Sequence, residues 1–301
     1  MKKNVAKALV MIMMGVTTLG LMSSSGCSKE EAPDITGGGS TGGGSTGGGS
    51  TGGGSTGGGN TGTSKKDSWA YLVNEDKKEF KVVDKGKDGK IMTYGQHTYS
   101  IIGDLSLEDY NEDAKGHVTF SNIPSGYTEF STVYNELLSH YPQGVVAMVP
   151  MAMEIYARDR ATGEKCMKLI CTSTCYSEAI REISRKFNHS KYSPENDQYI
   201  QRFLPAALLQ GAHNKNAYKP DEPYTVNLEA KPDTPHEETE LLGGTVMYMY
   251  LMSSGGWNTP QRDCQVFGKF GQEKNGPFKM FSFPAFYTQC QTCRGTWEGL
   301  K

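Results

Sequence analysis

Thr245-Val246-Met247-Tyr248-Met249-Tyr250-Leu251-Met252 is apolar at both odd and even positions. A run of this length, rich in β-formers and preceded by Gly243-Gly244, predicts a central strand covered on both faces. Tyr224-Thr225-Val226-Asn227-Leu228, upstream, alternates apolar with polar and predicts a half-buried strand. Downstream, Cys264 to Phe270 and Phe278 to Phe283 bracket Asn275-Gly276, a dipeptide suited to a hairpin turn. Nearer the N-terminus, Trp69 to Ile102 predicts further short strands. Glu79-Phe80-Lys81-Val82-Val83 and Lys90-Ile91-Met92-Thr93-Tyr94 flank Asp88-Gly89 as a tight hairpin, and the acidic stretch Leu105 to Lys115 reads as a loop.

Between these strand groups the period changes to that of a helix. Phe130, Val133, Tyr134, Leu137 and Leu138 share one face behind an N-cap at Thr128, with Pro142 as the stop. Gly144 to Asp159 predicts a second helix, kinked or broken near Val146 because Pro150 removes a backbone bond and crowds the preceding turn. Met167, Ile170 and Cys171 mark a third face, and Ile180, Ile183 and Phe187 a fourth. Ser193-Pro194-Glu195 combines a capping hydroxyl, a first-turn proline and an acid at the positive dipole end, and leads to Phe203, Leu204 and a kink at Pro205. Strands, then helices, then strands predict an α+β fold: an antiparallel sheet with a central block of helices in a single globular domain.

That domain is expected over residues 64–301. Before it, a Gly/Ser/Thr repeat begins at Gly37-Gly38-Gly39-Ser40-Thr41 and drifts to Asn60 in its last copy. With no apolar side chain to bury, such a chain stays a flexible linker. Its literal match to G-x-G-x-x-G lacks the flanking strand and helix of a dinucleotide site, so it is compositional. The drift to Asn60 and the signal upstream favour a natural repeat over an engineered linker.

Residues 1–26 have the pattern of a secretory signal: Lys2, Lys3 and Lys7, then the apolar run Ala8 to Met22, then Ser23-Ser24-Ser25-Gly26. An uncleaved transmembrane anchor is the competing reading. The run falls short of the roughly 20 residues a spanning helix needs, and Gly15 and Gly20 interrupt it. Small residues before Cys27 resemble a bacterial lipobox, although Ser24 stands where that family most often has Leu. The resemblance implies cleavage before Cys27 and acylation of its sulfur. Ser28-Lys29-Glu30-Glu31 is similar to the export signal of Bacteroidetes-type lipoproteins, implying an outer-membrane or cell-surface location for residues 27–63 and the domain they tether. Two or more acyl chains hold a protein stably on a bilayer.

Loss of Lys2, Lys3 and Lys7 with the signal takes the formal net charge from -2 to -5. An acidic chain without a basic stripe argues against nucleic acid as partner. Asp84-x-Gly86-x-Asp88-Gly89 is similar to a calcium loop, but its third position is Gly86 and its twelfth Gly95, where a bidentate Glu is required. Six cysteines remain besides Cys27: Cys166, Cys171, Cys175, Cys264, Cys290 and Cys293. An exported chain with an even number permits disulfides. A four-thiolate zinc site from Cys171, Cys175, Cys290 and Cys293 has poor helical spacing, so buried or bridged cysteines are expected and no metal or cofactor.

Outside the Gly/Ser/Thr repeat, whose literal matches are compositional, no G-x-S-x-G occurs; no S-x-x-K or H-E-x-x-H occurs anywhere, and no catalytic residue is assigned. The alternative function is a cell-surface hydrolase with Cys175 or Cys264 as nucleophile and His97, His117, His140, His189, His213 or His236 as base. Met247 and Met249 read as core rather than copper ligands. The favoured function is a membrane-anchored, non-enzymatic binding module. Its candidate contact loop is Ser253 to Arg262, with Gly256, Trp257 and Arg262 as binding residues and an extracellular protein or glycan as ligand.

Ile123-Pro124-Ser125-Gly126, Pro142-Gln143-Gly144 and Ser253-Ser254-Gly255-Gly256 with Arg262 resemble the turns of an uncharacterised domain family of bacterial lipoproteins. The resemblance implies one domain over most of Ser64 to Lys301, and no activity.

Overall fold

The chain divides into two units, Met1–Gly59 and Asn60–Lys301, and the structure, a computed structural model, describes residues of the second only. These are 78–106, 114–187, 203–232, 237–239, 243–269, 277–288 and 290–291. Cys27, the repeat, the Trp69 end of the first strand group, most of the acidic loop, Ser193-Pro194-Glu195, Asn275-Gly276, Cys293, His189 and His236 lie outside the described residues.

The α+β reading holds. A nine-stranded antiparallel sheet runs in the order β1-β2-β3-β4-β5-β7-β8-β9, with β6 also paired to β7. The first four strands are β1 (Phe80–Asp84), β2 (Lys90–Tyr94), β3 (His97–Ile102) and β4 (Lys115–Phe120). Then come α1 (Tyr127–Glu136), α2 (Pro142–Arg158), α3 (Arg160–Ile170), α4 (Ser173–Lys186) and the short α5 (Leu204–Ala207). The chain returns to the sheet as β5 (Tyr224–Ala230), β6 (Glu237–Thr239), β7 (Gly244–Met252), β8 (Gln261–Gly268) and β9 (Lys279–Ser282). Strand β5 pairs with β4 from Tyr224 opposite Phe120 to Glu229 opposite Lys115, so the helical block is an excursion between two neighbouring strands.

Alternate strand residues are buried under the helices. Met92, Tyr99, Val118, Val226, Met249 and Val266 lie on that face and carry the core. Helix α2 runs through the middle of it, buried from Pro142 to Ala157, as expected for a helix that is apolar all round. Its acid, Glu154, is paired by Arg158 one turn on. Gly163 lets α3 approach α2 closely: a Cβ there would come within 2.2 Å of Tyr156 Cα.

Several local expectations change. Helix α2 continues through Pro150 without the break expected near Val146, because packing on every side holds a helix that has lost one bond. Pro142 does not merely stop the preceding helix; it starts α2, where its missing N–H matters least. Pro205 likewise sits in the first turn of α5. The N-cap of α1 is Gly126, not Thr128. Asp88-Gly89 ends a five-residue loop between Asp84 and Lys90, while the two-residue turn is Gly95-Gln96, between Tyr94 and His97. Strand β4 went unread because Gly116 and His117 interrupt its pattern. Strand β7 is central: Thr245, Met247, Met249 and Leu251 alternate into the core, while on the other face Val246 is buried and Tyr248, Tyr250 and Met252 are half-buried.

Candidate functional site

The β7–β8 connection is closed by Met252 opposite Gln261 and by Ser253, whose N–H donates to Pro260 O at 2.9 Å. Within it, the three residues read from sequence form one unit. Arg262 projects from the core face of β8 and lays its guanidinium over the Trp257 ring, 4.6 Å from the centroid. Its Nη2 donates to Thr259 O at 3.0 Å and Thr259 Oγ1 at 2.8 Å, and Nη1 to Thr288 Oγ1 at 3.4 Å. Only 8% of Arg262 is exposed, and its Nε has no acceptor. Burial lowers its pKa, opposed by the nearby Asp263 charge. Arg262 is thus the buttress behind Trp257, not itself an open contact. The indole is half-buried and donates to Thr288 O at 3.3 Å. Gly256 is buried beneath it, where a Cβ would come within 3.0 Å of Ala207 Cβ.

The loop that carries the indole joins a carboxamide network that the sequence did not reveal. Asn214 Nδ2 donates to Gln291 Oε1 at 2.9 Å, and Gln291 Nε2 donates to Asn258 Oδ1 at 2.8 Å. Tyr218 OH donates to Gln291 O at 2.5 Å, and Gln291 N to Gly256 O at 2.8 Å. Ser254 Oγ accepts from Gly211 N at 2.8 Å. Three carboxamides from positions 214, 258 and 291 converge only through the fold; no short-range signal joins them. The turn that presents Asn214 holds Ala217 and Tyr218 at φ 56° and 57°. Left-handed backbone at two consecutive non-glycine residues is strained, and such strain concentrates at functional sites.

Among the described residues the thiol and imidazole candidates do not converge in this way. Cys166, Cys171, Cys175, Cys264 and Cys290 are all buried. Cys264 Sγ donates to Met249 O at 3.4 Å, and burial pushes its pKa far up, as it does for Cys171. A nucleophilic thiol needs the opposite shift. Among the described residues no imidazole hydrogen-bonds Cys175 or Cys264. His213 Nδ1 accepts from Lys215 N at 3.2 Å, His140 is exposed and His117 is half-buried on β4. Met247 and Met249 are core. No group of three or more His, Cys, Asp and Glu among the described residues could hold a metal ion.

His97 has a different partner, the buried Glu129 of α1. Glu129 Oε1 lies 2.6 Å from His97 Nδ1 and accepts from Tyr99 OH at 2.5 Å; Oε2 accepts from Ser125 N at 2.8 Å and Ser125 Oγ at 2.5 Å. A carboxylate with this many donors is spent as an anchor rather than a general base. A cleft of about 370 Å³ opens elsewhere, lined by Asp84, Lys87, Lys90, Asp104 and Tyr141 among others. There Lys90 is engaged by Tyr141 and by Asp84 at 3.5 Å, the Tyr141 hydroxyl chiefly raising its pKa.

The described residues therefore form an α+β domain whose antiparallel sheet is backed by helices, with a buttressed tryptophan in a loop tied into a carboxamide network. The chain belongs to the family described as a domain of unknown function (DUF6935), which matches residues 122–294. The match begins just after β4, so β1 to β4 precede it although they share its sheet. No curated protein and no solved structure matches the chain.

Proposed function

We propose that this is a lipid-anchored protein of the cell envelope, with residues 1–26 its signal, 27–63 the acylated N-terminus and tether, and 64–301 a non-enzymatic binding module. Its ligand is a neutral glycan, taken at Trp257. The observation that carries this reading is the half-buried indole stacked on the Arg262 guanidinium, in a loop whose Gly256 and Asn258 are hydrogen-bonded to Gln291 and through it to Asn214. Aromatic faces pack on the C–H face of a sugar ring, carboxamides exchange hydrogen bonds with hydroxyls, and Arg262, the nearest cation, is buried away from the surface. A protein ligand would need a larger apolar patch around the ring.

The test is a fluorescence and calorimetric titration of the full chain with a panel of neutral oligosaccharides. Saturable binding that Trp257→Ala abolishes, with a native circular dichroism spectrum and a cooperative melting transition, lowered only by the loss of the Arg262 stack, supports the reading. Absence of saturable binding across the panel rejects the glycan, and binding that survives Trp257→Ala moves the site elsewhere.

A further inference from the structure

Helices α3 and α4 meet at a corner that is pinned to the last strand. Thr172 N donates to Met280 O at 3.0 Å, and Cys171 forms a parallel bridge with Met280 of β9. Cys171 ends α3 with extended backbone, φ -102° and ψ 154°. Thr172 is the N-cap of α4, and its Oγ1 accepts from Cys175 N at 3.4 Å. The residue before a cap reaches over the first turn of the helix, as a hydrophobic staple does, and Cys175 lies in that turn. The two thiols are in hydrogen-bond contact. Lys279 stands beside Cys171 with its Nζ donating to Leu169 O, and Tyr287 lies near both sulfurs. Cys171 is 6% exposed and Cys175 3%. Burial raises the pKa of Cys171 and the neighbouring thiol raises it further, while the Lys279 charge pulls the other way.

We propose that Cys171 and Cys175 are a disulfide-forming pair, closed by a disulfide donor while the chain folds and shut away from solvent once it has folded. A disulfide needs two cysteines whose side chains already point at each other across a short gap, and the cap at Thr172 sets up that approach within a single corner. Cys264, by contrast, donates its thiol to Met249 O. The step is thiol–disulfide exchange. One protein thiolate attacks a sulfur of the donor disulfide and expels a donor thiolate. The other protein thiolate then attacks the protein sulfur of that mixed disulfide and expels the second donor thiolate. The two protons lost by the protein thiols end on the two donor thiolates, so the pair is oxidised by two electrons and the donor reduced by two. Timing follows from burial: exchange requires access, so the state set during folding persists in the folded domain. Made in reductant, the chain keeps both thiols. Made with a donor, it carries a covalent clasp at the corner that β9 pins.

Cell-free synthesis of the full chain in detergent tests the pairing, once in a mixture of reduced and oxidised glutathione and once in dithiothreitol. Each product is quenched in acid, alkylated in urea and digested with trypsin. Cleavage after Lys168 and Arg181 puts both cysteines in one peptide, Leu169 to Arg181. From the glutathione mixture that peptide should be lighter by two hydrogens and unalkylated; from dithiothreitol it should carry two alkyl groups. The closed loop from Cys171 to Cys175 should raise the melting temperature by about 4–8 °C over the reduced chain. Cys171→Ser and Cys175→Ser should each remove that difference. Dithiothreitol added to the folded, oxidised chain should open the bond at least roughly tenfold more slowly than in urea. Alkylation of both cysteines after synthesis with glutathione overturns the proposal, as does a bridge from either one to any other cysteine. So does a redox-dependent melting temperature that survives either substitution, or a bond that opens as fast folded as unfolded. The peptide mass is read on the wild type, so it decides the bond even where a serine variant fails to fold.

Discussion

The Nδ1 of His97 lies 2.6 Å from Oε1 of Glu129, joining the β2–β3 turn to the first turn of α1. Glu129 is 1% exposed, and burial alone would raise its pKa. Hydrogen bonds from Ser125, Tyr99 and His97 outweigh that and leave it lowered. The turn at Ile123-Pro124-Ser125-Gly126 is thus closed by a carboxylate from the helix it introduces, a reach-back like that of a capping box.

A lowered carboxyl pKa fixes the sign of the pH dependence. The folded state binds the Glu129 proton less tightly than the unfolded chain does. The resulting stability is complete above the usual glutamate value of about 4.3 and is lost as pH falls through the lower folded value. Glu129→Gln should cost roughly 2–3 kcal/mol at pH 7, since it keeps the shape but loses charge-assisted bonds. It should also flatten the decline in urea-unfolding free energy below about pH 4. A variant with the wild-type acid slope would show that Glu129 is not the titrating anchor.

Gly163→Ala separates propensity from packing. On an exposed helix the change would gain about 1 kcal/mol. Here the new methyl would meet Tyr156 backbone 2.2 Å away, which cannot swing aside as a side-chain tip could. Overpacking of about 2–3 kcal/mol should win, giving a lower melting temperature. A higher one would mean that α3 can slide on α2.

The periodicity of 130–138 and of 224–228 made α1 and β5 legible because each buries a single face, so local pattern and tertiary environment agree. Pro150 misled because the rule for proline concerns an isolated helix, and α2 is enclosed by its neighbours. Gly256, Trp257 and Arg262 could be named because a large aromatic stands among glycines and polar residues in the stretch Ser253 to Arg262. That Arg262 turns inward could not, since it depends on Thr288, from another part of the chain. Asn214, Asn258 and Gln291 were invisible for the same reason: hydrogen-bonded carboxamides carry no sequence period.

The stack of Arg262 on Trp257 predicts measurable coupling. Among the described residues no carboxylate is bonded to Arg262, and its positive charge is compensated by the indole face and by oxygens of Thr259 and Thr288. A double-mutant cycle of Trp257→Ala and Arg262→Ala, read by urea unfolding, should return about 1–2 kcal/mol, the range for a desolvated cation–π pair. Arg262→Lys should not recover it, because an ammonium lacks the planar fork that stacks and donates together. Additive effects would reduce the contact to mere proximity.

Burial of Cys264 and Cys171 raises their pKa values, which removes the thiolate that alkylating reagents need. Mass-mapped alkylation at pH 8 should therefore leave both unmodified in the folded protein and label both in urea. Rapid native labelling of Cys264 would show that β8 opens locally and would revive a chemical role for that thiol.

Anchor and tether make the last expectation. If Cys27 is acylated, metabolic labelling with a fatty acid should mark the wild-type protein and not Cys27→Ser, because the sulfur carries the chain that holds it in lipid. Persistent labelling of the variant would place the acyl group elsewhere. The repeat should then govern reach without affecting stability. If the roughly 36 residues between Cys27 and Ser64 form a flexible coil, their root-mean-square span would be roughly 30–36 Å, enough to hold a lipid-anchored domain clear of the headgroups. Deleting Gly37 to Gly59 removes no apolar side chain, so the domain's melting temperature should stay where it is. Antibody access to the domain on intact cells should fall, since the shortened coil brings it down to the headgroups. A lower melting temperature would mean that the repeat packs on the fold, and unchanged access would reject the spacing role while leaving the coil itself flexible.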